Sequence, residues 1–320
     1  MESFFQGLPL WLNVVLFLVG LIMVTGGAGW FTDGAVGIAE ATGVPKMVVG
    51  ATVVSFATTS PEFSVSWIAA VLSRPATSVG NALGSTICNI GLIAAVAALI
   101  RPVRIPRSVV RPQGVAMWAA GAVLVALSWN GVLGRLEGYL LLAGTGLYLW
   151  YSARHSGWGR GTRSESSSPH RWGPVLGWFL WGALAVVGGS VLLVQNAVPL
   201  ARAMGVPELV VALTFVAVGT SLPELSTAIA SSRRGHGDIS VGNVMGANIL
   251  NIVLVLGGSA AILPLKIESQ TFLLDFPAMG LMMVLFVAVA AFWGRVGRLA
   301  GGLFLSAYAL YLGLMVAFFI

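Results

Sequence analysis

Charge is what this chain has least of. Of its 320 residues 9% are charged and 57% are apolar, and the mean hydropathy is +0.92. That balance excludes an ordinary soluble domain, in which roughly a quarter of residues are charged. The short alternating segments of a membrane β-barrel are also missing. Cysteine occurs once, as Cys88 in an apolar run, so no internal disulfide is possible and packing is its expected role. Basic residues are absent before Lys46, so no basic n-region marks a secretory signal, and the first apolar run is expected to remain in the mature protein. The three histidines, His155, His170 and His236, fall between apolar runs. With no membrane-depth His, Cys or Ser–Lys constellation, an intramembrane enzyme is the least favoured class, and no cofactor is expected.

What remains is a succession of apolar runs, each near the roughly 20 residues needed to cross a bilayer. The expected fold is an all-α polytopic membrane protein of ten transmembrane helices. Their approximate spans are 9–37, 44–72, 78–100, 113–130, 133–153, 174–204, 206–232, 238–263, 271–293 and 298–319. Between the fifth and sixth lies RHSGWGRGTRSESSSPHRWG, a polar Ser/Gly-rich linker. The halves are therefore 1–153 and 174–320, joined by a cytoplasmic linker at 154–173. Asp275 is expected at a solvated helix end, and Asp238 as an N-cap or solvated charge.

The net charge of +6 points to topology rather than nucleic acid, because the basic residues lie in short loops. One side of the membrane collects 13: Lys46, the arginines at 101, 104, 107, 111, 154, 160, 163 and 171, and Arg233, Arg234, Arg295 and Arg298. The other collects four: Arg74, Arg135, Arg202 and Lys266. The positive-inside rule puts the first side in the cytoplasm and both termini outside.

One stretch occurs twice. Residues 44–93 include VPKMVVGATVVSFATTSPEF and SVGNALGSTICN; residues 206–255 include VPELVVALTFVAVGTSLPEL and SVGNVMGANILN. The matches hold at a constant offset of 162, pairing Glu62 with Glu224, Pro61 with Pro223, Asn81 with Asn243 and Asn89 with Asn251. Five helices per half reverse the sense of the second copy, which makes this an inverted repeat, a transporter architecture with its site near mid-membrane.

Each copy carries one acid within an apolar run, where a carboxylate costs about 2.5–3.5 kcal/mol. Two such acids near a pseudo-twofold axis require a cation or protons to neutralise them. Hard oxygen ligands suit Ca²⁺ or Na⁺. Pro61 and Pro223 free a carbonyl near Ala57 and Gly219. Thr58 and Thr59 precede Glu62 by four and three residues, which predicts that their hydroxyls share its helical face; Thr220 and Ser221 stand likewise to Glu224. Ser85 lies one turn before Asn89, whereas Ala247 precedes Asn251. Asn89 and Asn251 offer neutral amide oxygens. Gly80, Gly84, Gly242 and Gly246 are expected to let helices approach closely. The plainer alternatives are a protonated glutamate in a helix–helix hydrogen bond, hydroxyls bonded to their own helix, and Asn81 and Asn243 as helix bridges.

These paired motifs resemble the α-repeats of the cation/calcium exchanger superfamily, especially prokaryotic sodium/calcium exchangers. Gly219-Thr-Ser-Leu-Pro-Glu224 with Gly242-Asn-Val-Met-Gly-Ala-Asn-Ile-Leu-Asn251 is close to the family pattern. The first copy departs at Ala57, usually glycine, and Thr86, usually asparagine. The resemblance implies an antiporter of a prokaryotic cytoplasmic membrane that exchanges Ca²⁺ for Na⁺ by alternating access. It implies four cation sites between helices two, three, seven and eight, with Glu62 and Glu224 bridging a central Ca²⁺. Asn89 and Asn251 would line the central Na⁺ or water position. Thr58, Thr59, Thr220, Ser221 and Ser85 would supply flanking oxygens, and Ser55 and Ala217 their backbone carbonyls. Helices one and six, loosely packed, would slide across the core. Many family members carry aspartate where this chain has Asn251, which leaves H⁺/Ca²⁺ exchange as the alternative reading and a cation channel as a more distant one. Apart from the ions and the lipid bilayer, no partner is expected, neither nucleic acid nor an obligatory protein.

Overall fold

The computed structural model describes residues 8–105, 107–155, 172–203 and 217–319. Helix α1 is Leu10–Thr42, α2 Lys46–Thr58, α3 Ser60–Val71, α4 Pro75–Ile100, α5 Arg107–Leu127 and α6 Arg135–His155. In the second half α7 is Trp172–Ala203, α8 Ala217–Thr220, α9 Leu222–Arg233, α10 Gly237–Ile262, α11 Thr271–Trp293 and α12 Arg298–Phe319. Among the described residues seven helices are long and apolar enough to cross a membrane: α1, α4, α5, α7, α10, α11 and α12.

Several boundaries differ from expectation for local reasons. Helix α1 runs past residue 37 and keeps Asp33 and Glu40 inside it, ending at Gly43, which takes the left-handed cap conformation at φ +67°. Helix α5 begins at Arg107, within the stretch expected as a basic loop, and carries Pro112 near its start. Asp238 is not an N-cap; the cap position is His236, and Asp238 lies in the first turn of α10. The expected linker at 154–173 falls mostly on residues 156–171, and the start of the expected seventh helix on 204–216; both lie outside the described residues.

Burial sorts the helices into a centre and a jacket. The spanning window of α10 is 94% buried and that of α4 72%, against 22% for α7 and α12. Outward-facing side chains on the jacket include Ile22, Trp181, Leu273 and Leu299, a distribution that suits lipid rather than water. Where α10 crosses α2, Gly242 and Gly246 lie with their backbone against Met47 and Ala51, leaving no room for a Cβ. Gly80 and Gly84 show no such close approach among the described residues, no atom lying within 4 Å of an added Cβ; the stretch equivalent to Met47–Ala51 in the second half, 209–213, lies outside the described residues.

Four two-residue strands tie the halves together. Val103–Arg104 (β1) pairs antiparallel with Arg295–Val296 (β4), and Val132–Leu133 (β2) with Leu265–Lys266 (β3). Helix α5 leads from β1 to β2, and α11 leads from β3 to β4. Because β1 pairs with β4 and β2 with β3, α5 and α11 run in opposite directions. At 1.5 Å per residue α5 separates the two ribbons by about 30 Å, the thickness of a bilayer core.

Helices α1 and α7 pack tightly against each other. The rings of Phe31 and Phe179 meet at 4.8 Å, tilted by 39°, and the backbone of Gly34 touches Phe179 while that of Gly182 touches Phe31. Small residues at the crossing bring the two helices into backbone contact. Only 33% of the α1 window is buried. The two helices thus hold each other more than they hold the core.

Candidate cation-binding site

The site is built on two helix breaks. Thr59, at φ −74° and ψ 0°, interrupts the chain between α2 and α3; Ser221, at φ −88° and ψ 8°, does so between α8 and α9. Pro61 and Pro223 follow, each without an N–H, so a continuous hydrogen-bond ladder is impossible there. Ala57 O, freed by Pro61, accepts from the Ser60 hydroxyl at 2.7 Å. Each break places a glutamate in the first turn of the next helix, where the helix dipole favours negative charge. Glu62 is 0% exposed and Glu224 1%.

The hydroxyls before each glutamate do not serve that glutamate. Thr59 donates to Glu224 Oε1 at 3.4 Å, and Ser221 donates to Glu62 Oε1 at 3.2 Å. Thr58 donates to Asn243 Oδ1 and Thr220 to Asn81 Oδ1, both at 3.1 Å. The shared-face expectation fails because the break at Thr59 and Ser221 re-aims these side chains across the boundary between halves. The result is two matched pairs of contacts, each crossing from one repeat to the other.

Helices α4 and α10 close the site. Each turns from α- to π-helix at the equivalent residue, Asn89 in α4 and Asn251 in α10, a distortion often found at functional positions. Ser85 lies 3.1 Å from the Ser221 hydroxyl. Asn81 Nδ2 donates to Glu62 O at 3.1 Å and to Ser66 Oγ at 2.9 Å, so Asn81 bridges α4 to both α3 and α8. Ser55 O accepts from Thr59 N at 2.9 Å and from Thr58 Oγ1 at 3.4 Å, inside its own helix. Ala217 opens α8.

Among the described residues several buried polar atoms have no hydrogen-bond partner: Glu62 Oε2, Glu224 Oε2, Asn89 Oδ1, and both Oδ1 and Nδ2 of Asn251. Buried polar groups are normally paired. Four of these five are oxygens, on the two glutamates and the two equivalent asparagines, and such a set matches the ligand chemistry of a hard cation. A hydrocarbon-packed core does not account for them.

Two groups escaped the sequence reading and a third was misplaced by it. Asn248 accepts from Asn89 Nδ2 at 3.0 Å. Tyr148 donates to Ala51 O at 2.5 Å, at the π-helical stretch of α2, and lies 3.2 Å from Gln113 Oε1. Asp275, expected at a solvated end, is buried: Tyr311 donates to Oδ1 at 2.9 Å and Thr271 to Oδ2 at 3.2 Å. Gln113 lies 162 residues before Asp275, so each half places a tyrosine against an equivalent polar residue. The duplication did not mark Asn248, because the equivalent residue is Thr86, and nothing local marked Tyr148.

Comparison with known proteins agrees with this architecture. A family profile described as sodium/calcium exchanger protein matches residues 12–154 and 174–317. The inner membrane protein YrbG of Escherichia coli (strain K12) is 36% identical over 95% of this chain and 97% of its own length. Sodium/calcium exchanger MaX1 of Methanosarcina acetivorans is 27% identical over 96% of this chain and 99% of its own. The solved structure of the sodium-calcium exchanger NCX_Mj soaked with Na⁺ and Sr²⁺ superposes with a TM-score of 0.86 at 29% identity, covering 98% of this chain and 100% of that one.

Proposed function

The chain belongs to the sodium/calcium exchanger protein family, and on that premise we propose that it is an antiporter exchanging Ca²⁺ for Na⁺ across a prokaryotic cytoplasmic membrane. The observation that carries this reading is the pair of buried carboxylates, each hydrogen-bonded by a hydroxyl of the other repeat and each keeping one unpartnered oxygen. Glu62 and Glu224 bind the cation. Thr58, Thr59, Thr220, Ser221, Ser85, Asn89 and Asn251 complete the oxygen cage, with the carbonyls of Ser55 and Ala217 at its edges.

The two halves, 1–153 and 174–320, are inverted repeats with both termini outside. The opposed directions of α5 and α11 support that arrangement, as does the collection of arginines around β1 and β4. Helices α1 and α7 move as one body across the core to alternate access, a motion their mutual packing favours. The charge of the two acids is matched by one Ca²⁺ or by two Na⁺, which predicts coupling near two monovalent ions per Ca²⁺.

A second reading, H⁺/Ca²⁺ exchange, is favoured by one residue: Asn251 is neutral, so two acids alone carry the counter-ion, and two protons would serve. Proteoliposomes loaded with Na⁺, with a pH gradient, or with neither separate the readings. Na⁺-driven ⁴⁵Ca²⁺ uptake supports the first; uptake driven only by pH supports the second. Uptake in neither case removes both. Voltage dependence of the equilibrium at clamped potential would sink electroneutral coupling.

A further inference from the structure

The two halves are not equal at their asparagines, and the difference traces to one side chain. Asn89 and Asn251 occupy equivalent positions at the start of π-helical stretches. Asn89 donates its Nδ2 proton to Asn248 Oδ1 at 3.0 Å, while its own Oδ1 has no partner among the described residues. Among the described residues Asn251 has no such anchor for either end of its amide. The residue equivalent to Asn248 is Thr86, and its hydroxyl is consumed by its own helix, donating to Ala82 O at 2.8 Å.

Asn248 is itself oriented. It is 0% exposed, and its Nδ2 is directed at Met117 Sδ at 3.8 Å, on α5. A thioether accepts a hydrogen bond weakly and cannot donate one, so it selects the orientation in which Asn248 turns its nitrogen to α5 and its oxygen to Asn89. An oxygen there can receive only an N–H. The amide of Asn89 is thereby fixed with its carbonyl oxygen directed away from Asn248.

We propose that Asn248 is a positioning residue: through a relay from Met117 to Asn248 to Asn89, it holds the Asn89 carbonyl oxygen as a permanent cation acceptor. Asn251, unanchored, is free to present either its oxygen or its N–H. The site therefore has one fixed and one adaptable amide, which suits a cage that must hold cations of different size and charge in turn. This inference rests on reading the Glu62–Glu224 site as a cation site.

The test uses the full-length protein and two readouts: the Ca²⁺ concentration giving half-maximal thermal stabilisation, and the maximal rate of Ca²⁺ uptake in proteoliposomes. Asn248→Thr installs the side chain that the equivalent position already accommodates, so folding is expected to survive. The half-maximal Ca²⁺ concentration should rise on the order of threefold to tenfold, the scale of one lost neutral hydrogen bond. The maximal rate at saturating Ca²⁺ should stay within about twofold on the same reasoning. Met117→Leu, close in volume, should shift the half-maximal concentration in the same direction by less. In an Asn89→Ala background Asn248→Thr should add nothing further.

An unchanged half-maximal concentration in Asn248→Thr overturns the inference. So does a fall in rate alone, or an equal shift in the Asn89→Ala background. If no cation among Ca²⁺, Sr²⁺ and Na⁺ stabilises the unaltered protein, the cation-site reading falls and this inference with it. A response in the unaltered protein without the Asn248 effect removes only the inference.

Discussion

Ser221, on the second repeat, donates its hydroxyl proton to Glu62 on the first at 3.2 Å, rather than to Glu224 three residues downstream. Thr59 answers with the reciprocal contact to Glu224 at 3.4 Å. Each carboxylate is thus held by the opposite half, and neither half-site is complete alone. Hydrogen bonds to charged groups contribute about 1.5–3 kcal/mol. Ser221→Ala is therefore expected to weaken Ca²⁺ binding by about tenfold to a hundredfold. Ser226→Ala is the control, since Ser226 donates to the Pro223 carbonyl of its own helix at 3.0 Å. Isothermal titration of the purified protein would check both, and equal affinities would remove the cross-repeat role.

The approach of α10 to α2 has no room for a side chain at Gly246, where an added Cβ would meet Ala51 O and Ser55 Oγ. Gly246→Ala is expected to destabilise by about 1–3 kcal/mol, the usual cost of overpacking. At Gly302 on α12 no atom of the described residues lies within 4 Å of an added Cβ. Gly302→Ala should leave the melting temperature unchanged or raise it slightly. Thermal unfolding in detergent compares the two, and equal destabilisation would contradict the packing argument.

Arg234, at the end of α9, forms an ion pair with Asp33 and donates to Gly29 O at 2.7 Å, both on α1. The pair is partly exposed, 40% and 53%, so it contributes at most about 1 kcal/mol. That is enough to move a balance between two conformations by up to about fivefold. Arg234→Gln is expected to change the maximal exchange rate by a few fold on that scale and leave the half-saturating Ca²⁺ near its original value. Exchanging the charges, as Asp33→Arg with Arg234→Asp, should recover the rate. A shift in affinity without a shift in rate would place the pair elsewhere in the account.

His236 lies 3.3 Å from Lys46 Nζ, beside Asp238, Glu40 and Asp33. Burial first, and the Lys46 charge second, hold its pKa below the ordinary 6.5. The folded protein favours the neutral imidazole, so this contribution to stability is present above pH 6.5 and is lost as pH falls below it. Melting temperature should decline on acidification through that range, and less so in His236→Gln. An identical decline in both would assign the acid sensitivity to other groups.

Much of the fold was legible because bilayer spans and a gapless duplication leave strong traces in composition and spacing. The glutamates, the prolines and the asparagines at 89 and 251 announced themselves as polar residues repeated within apolar runs. Which partner each hydroxyl meets was not legible. Periodicity along one helix assigned Thr59 to Glu62, whereas the break at Thr59 turns it toward Glu224. Asp275 was misjudged because its place near a helix start suggested solvent, and its partner Tyr311 lies on a different helix. Tyr148 reaches Ala51 across 97 residues, a contact no local pattern encodes.

The central claim is that Glu62 and Glu224 together hold the transported Ca²⁺. Its most direct test is ⁴⁵Ca²⁺ uptake into Na⁺-loaded proteoliposomes by the unaltered protein, Glu62→Gln and Glu224→Gln, with reconstitution verified for each. The account predicts Na⁺-driven uptake by the unaltered protein and its loss in both variants. Normal uptake by either variant would contradict it.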